Sequence, residues 1–91
     1  MELKNFIAGE PIAGSGGRTV TKTNPATGAV LAEVPQSTAA DVDRAVAAAK
    51  AAFRDWRLTP APKRGEIMFE VGRRLEERKE ELARLMTQEM G

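Results

Sequence analysis

The chain has no cysteine and no histidine. Without cysteine it has no disulfide framework, no thiolate metal site and no thiol redox switch. Without histidine it lacks the commonest general base and the commonest metal ligand. Ser15, Ser37 and the threonines therefore have no imidazole to activate them, which excludes a Ser/His/Asp arrangement within the chain. Aromatics are few: Phe6, Phe53, Trp56 and Phe69. They offer no stacking platform for bases. Charge of one sign is also missing, since 14 Lys and Arg face 13 Asp and Glu for a net +1. Most arginines have an acid within a helical turn, so no basic face for nucleic acid or an anionic membrane is expected. No apolar run approaches the ~18 residues of a membrane span, and Met1–Asn5 lacks the apolar stretch of a signal peptide. These absences point to a cytoplasmic protein.

What is present is an ordinary globular composition, 42% hydrophobic and 30% charged. At 91 residues one small domain is possible, with only roughly 60–65% of the unfolded surface buried. The composition changes near Pro35. Residues 1–35 are rich in glycine, proline and β-branched side chains and read as a strand and hairpin arm. Phe6-Ile7 and Pro11-Ile12 flank a turn over Ala8-Gly9-Glu10. Ala13-Gly14-Ser15-Gly16-Gly17 reads as a mobile hairpin loop. Thr19–Thr23 has strand character. Asn24-Pro25-Ala26-Thr27-Gly28 is a turn, because Pro25 holds Asn24 extended and Gly28 permits the exit. Ala29–Val34 returns as a strand, with Val30, Ala32 and Val34 on one face.

Residues 36–57 predict a first amphipathic helix. Ser37 or Thr38 caps it, and Asp41 stands at capping-box spacing from Thr38. Val42, Ala45, Val46, Ala49, Phe53 and Trp56 form its apolar stripe, with Trp56 as a core or interface anchor. Residues 58–91 predict a second long helix, capped by Thr59 with Pro60 at its first position. Ile67, Val71, Leu75, Leu82, Leu85 and Met86 mark its buried face. Glu70–Arg74, Arg73–Glu77 and Glu80–Arg84 are expected i,i+4 pairs. The fold class is α+β: strands, then two long helices.

Two features imitate chemistry. The glycine loop at 13–17 resembles a phosphate cradle, but a strand follows it where a helix N-terminus is needed. Glu76, Glu77, Glu80 and Glu81 resemble paired carboxylates, but they alternate with Arg73, Arg74, Arg78, Lys79 and Arg84 on a wet helix face. No catalytic, cofactor-binding or metal-binding side chain is assigned.

Asn24 to Pro35 resembles the N-terminal strand pair of NAD(P)-dependent aldehyde dehydrogenases. Ala40–Phe53 is similar to the first helix of that family. Trp56, Thr59-Pro60-Ala61 and Arg64 resemble its helix junction. Leu75, Leu82-Ala83 and Met90-Gly91 follow its second long helix. The likeness runs from Phe6 onward. Trp56–Arg64 with Leu85–Gly91 resembles a branch acting on semialdehydes, such as those of 2-oxoglutarate or aminoadipate.

The resemblance implies part of an α/β cofactor-binding domain that uses NAD or NADP in the whole enzyme. There a cysteine thiolate attacks the aldehyde, hydride passes to nicotinamide, and a glutamate-activated water hydrolyses the thioester. All those groups lie downstream of the matched region. The backbone carbonyl of Thr23, just before Asn24-Pro25, corresponds to a monovalent-cation ligand of some members. Members continue past Glu89-Met90-Gly91 with a lysine and hundreds more residues, so the expectation is an incomplete piece. Its partners would be the remainder of the enzyme chain and further copies in a homo-oligomer. The competing expectation is a non-catalytic helical interaction or oligomerisation module, pairing through Val42/Val46/Phe53 and Val71/Leu75/Leu82.

Overall fold

Two antiparallel hairpins open the chain in the computed structural model, which describes all residues Met1–Gly91. The first joins β1 (Asn5–Ile7) to β2 (Glu10–Ile12). Ile7 faces Glu10, so the loop is only Ala8-Gly9. Both loop residues have positive φ, 53° and 82°. That is a type I′ turn, whose twist matches the flanking strands. Glu10 therefore belongs to β2 and not to the turn. The second hairpin pairs β3 (Thr19–Thr23) with β4 (Val30–Pro35), with a bulge between Lys22 and Thr23.

Its turn closes on Asn24, whose Oδ1 accepts the Ala26 amide at 2.8 Å while its carbonyl accepts the Gly28 amide at 2.7 Å. On one sheet face the Thr19 and Thr21 hydroxyls donate to the Glu33 carboxylate at 3.0 and 2.7 Å. On the other, Ala32 is buried. The first residues join this sheet. Leu3 N–H donates to the Glu33 carbonyl, and Glu33 N–H to the Met1 carbonyl, both at 2.9 Å. Met1–Leu3 thus lies parallel along β4.

Helix α1 (Ala39–Trp56) starts at a complete capping box: the Thr38 hydroxyl accepts the Asp41 amide, and the Asp41 carboxylate accepts the Thr38 amide. The remaining helical region differs from expectation in two ways. It is two helices, α2 (Ala61–Glu77) and α3 (Lys79–Met90), so residues 58–91 do not form one rod. At Arg78 (φ −104°, ψ 13°) the backbone leaves helical geometry, and its amide is shared by the Arg74 and Leu75 carbonyls, each at 3.2 Å. No proline or glycine marks that break.

Thr59 also does not cap α2. Its hydroxyl donates backward to the Asp55 carbonyl at 3.1 Å, closing the end of α1, and Pro60 occupies the cap position. A side-chain cap matters less here, because Pro60 and Pro62 have no N–H to leave unpaired. Along α2, Glu70 pairs with Arg73 and Arg74, and Arg73 with Glu77. The expected Glu80–Arg84 pair does not form; Arg78 pairs with Glu81 instead, three residues apart. No helix is long and apolar enough to cross a membrane.

The interior is very small. Only Ile7, Ala32 and Asp41 are buried. The expected buried face of residues 58–91 is not covered: Ile67, Val71, Leu75 and Met86 are all exposed, and Leu82 and Leu85 are half-buried. The α1 stripe fares similarly, with Val42, Val46, Phe53 and Trp56 open to solvent. The molecule measures 48 × 34 × 16 Å with a radius of gyration of 16.8 Å. A compact domain of this length would have a radius of about 12 Å. Its accessible surface is 7432 Å², against about 5,200 Å² for a compact monomer of this mass. Both comparisons describe an open layer, not a closed core.

Candidate functional site

The densest polar cluster lies where the 13–17 loop meets the start of α1. Its centre is Asp41, 2% exposed. The Asp41 carboxylate accepts the Thr38 amide at 2.8 Å, the Ser15 amide at 3.1 Å and the Arg44 guanidinium at 2.8 Å. The Ser15 and Thr38 hydroxyls meet at 2.8 Å. The Thr38 amide is the main cause holding this carboxyl far below the usual carboxylate range. Burial pulls the other way, and Arg44 and Ser15 add to the lowering. A carboxylate so occupied is a fixed acceptor: it has too little proton affinity for base catalysis at neutral pH and no free face for substrate.

This cluster changes the reading of the glycine loop. The loop is tied to α1 through Ser15, so it is not a free hairpin loop. Nor can it cradle phosphate in this conformation. The Ser15 amide is spent on Asp41, and the Gly17 amide on the Gly14 carbonyl at 3.2 Å. A phosphate would also sit against the Asp41 charge.

The acid row behaves as a solvated face. Glu76, Glu77, Glu80 and Glu81 are exposed. Glu81 is lowered by its hydrogen bond to Arg78. Upstream, Glu70 falls to about 2 through hydrogen bonds from Arg73 and Arg74. No group of three or more acids is arranged to hold a metal ion. Thr23 ends β3 beside the bulge, opposite Val30. Trp56 is 40% exposed at the end of α1, an anchor without a pocket.

Three contacts had no signal in the sequence, because each joins distant residues of ordinary type. They are Ser15 to Asp41, Ser37 Oγ to Asn5 Oδ1 at 2.8 Å, and Lys22 Nζ to the Glu89 carbonyl at 3.0 Å. The chain spends its hydroxyl–carboxylate contacts, Thr19 and Thr21 on Glu33 and Thr38 on Asp41, on the second hairpin and the α1 cap. It also presents wide apolar faces, including Phe69 at 84% and Met68 at 62% exposure. Exposed apolar surfaces of that breadth occur at protein or membrane contacts and at ligand grooves.

Residues 12–91 match the aldehyde dehydrogenase family. Malonate-semialdehyde dehydrogenase 1 of Geobacillus kaustophilus is 54% identical over 89 residues, which cover 98% of this chain and 18% of that protein. Malonate-semialdehyde dehydrogenase of Halalkalibacterium halodurans is 49% identical over 90 residues, covering 99% of this chain and 19% of that protein. Among solved structures, 3,6-anhydro-L-galactose dehydrogenase in complex with NADP superposes with a TM-score of 0.96 at 30% identity. All of this chain is covered, and 19% of that one, in its N-terminal part. The chain thus spans about a fifth of the length of the relatives it matches. The Geobacillus kaustophilus and Halalkalibacterium halodurans relatives are named for malonate semialdehyde, which is neither of the two aldehydes given above as examples.

Proposed function

Because the chain belongs to the aldehyde dehydrogenase family, we propose that it is the N-terminal scaffold segment of an NAD(P)-dependent enzyme oxidising an aldehyde to a carboxylic acid. The observation that carries this reading is the match across the whole chain to about a fifth of much longer relatives. The names of those relatives favour a semialdehyde, with malonate semialdehyde the first to try. The hairpins and three helices brace the cofactor-binding domain. The nucleophile, the general base and the dinucleotide turn come from other parts of the enzyme.

The uncovered faces of α1 and α2 support the same reading. Val42, Val46 and Phe53 on α1, and Val71 and Leu75 on α2, are positions for the remainder of the enzyme to cover. In such an enzyme these faces need no separate interaction module.

The test is hydride transfer. Purified 91-residue chain, malonate semialdehyde and NAD or NADP should give no absorbance of reduced nicotinamide, and calorimetry should detect no cofactor binding. Turnover by this chain alone would overturn its assignment as a scaffold.

A further inference from the structure

Two motifs stand at opposite ends of the sequence pattern, Asn24-Pro25-Ala26-Thr27-Gly28 and Glu89-Met90-Gly91, and the fold brings them into contact. Lys22, just before the first motif, places Nζ 3.0 Å from the Glu89 carbonyl, across 67 residues. Gly91 lies against the turn itself. A Cβ added there would come 3.3 Å from Pro25 Cγ and 3.4 Å from Pro25 Cβ and the Ala26 amide nitrogen. Gly91 also has φ +84°, which an L side chain resists.

We propose that these residues form a latch: the Asn24–Gly28 turn is the seat for the end of α3, and Lys22 is the tie that holds it. The last turn of a helix leaves unpaired carbonyls and a partial negative charge, which a cation satisfies. Helix α3 has no basic residue in its own last turn. Lys22 supplies that cation from the hairpin. The alternative source of attachment, apolar burial, is small on α3, where Leu82 and Leu85 are only half-buried and no residue is fully buried. The latch therefore sets where the α2–α3 arm lies relative to the strands. It stands independently of the proposed enzyme.

Thiol labelling tests it cleanly, since the chain has no native cysteine. A nitroxide is attached at Thr27→Cys on a minor fraction of isotope-labelled chain diluted in unlabelled chain. Broadening of the Thr87–Gly91 amide signals by the nitroxide is then read by NMR. The latch predicts broadening of Glu89, Met90 and Gly91, its loss in Lys22→Met, and its retention in Lys79→Met. Cross-strand contacts between β3 and β4 serve as the folding control in every variant. A control in which the nitroxide chain and the isotope-labelled chain are separate molecules removes contacts between copies. No broadening in the parent chain, or equal broadening in Lys22→Met with the hairpin intact, overturns the proposal.

Discussion

Asp41 is the residue on which the strand arm and the first helix depend together. Its side chain caps α1 through Thr38 and holds the 13–17 loop through Ser15. Asp41→Ala removes the oxygen that the Thr38 and Ser15 amides share. The Ser15 amide should then lose its protection in hydrogen exchange, while the β3–β4 amides keep theirs.

The same carboxylate gives a pH dependence. Its folded-state pKa is depressed, so the unfolded chain binds the proton more readily, and the contribution is complete above the ordinary value of 3.8 and lost progressively below it. Glu70 acts alike on α2, between its ordinary 4.5 and about 2. Helix content followed by circular dichroism should hold above about pH 5 and fall on acidification. A flat signal down to about pH 2 would contradict both assignments.

Ala8 offers a gain: it sits at φ 53°, where Asn is better tolerated. Ala8→Asn should stabilise the first hairpin by up to about 1 kcal/mol, read from its thermal melting.

At the scale of elements, the helices were legible as helices but not in their burial. The stripe Ile67, Val71, Leu75 has the spacing of a core face, and spacing alone does not reveal whether anything covers it. Leu75 is 55% exposed, so Leu75→Ala should leave the helix content of the isolated chain, read by circular dichroism at a fixed concentration, nearly unchanged. The same substitution in an enzyme that covers this face should cost about 2–5 kcal/mol.

Local devices were readable because they are encoded by near neighbours. The Thr38–Asp41 box and the Asn24–Gly28 turn both emerge as the residue types require. The break at Arg78 was not readable, because no Gly or Pro stands there. Thr59 misled for a related reason: a hydroxyl beside two helices can serve either, and here it closes α1. Contacts such as Ser15–Asp41 and Lys22–Glu89 are also silent in sequence. Neither partner is unusual until the fold brings them together.

At the scale of the whole molecule, three buried residues and 7432 Å² of accessible surface are too little burial to offset chain entropy for a closed domain. The faces left open are broad enough for copies to cover one another's. The purified chain should therefore sediment as a concentration-dependent mixture and melt broadly. A monomer with a sharp, concentration-independent transition would contradict this. With no cysteine or histidine the chain offers no local signal of chemistry, and its kinship was not legible at any single position. It was legible only as family pattern.

A scaffold segment of this family should be able to stand in for the matching segment of a relative. That is tested most directly by exchange. The matching segment of Geobacillus kaustophilus malonate-semialdehyde dehydrogenase 1 is replaced by this chain, and NAD-dependent oxidation of malonate semialdehyde is measured. The expected result is a folded chimera with kcat/KM within about tenfold of the parent, a loss under about 1.4 kcal/mol in transition-state terms. A chimera that fails to fold, or folds and does not turn over, contradicts it.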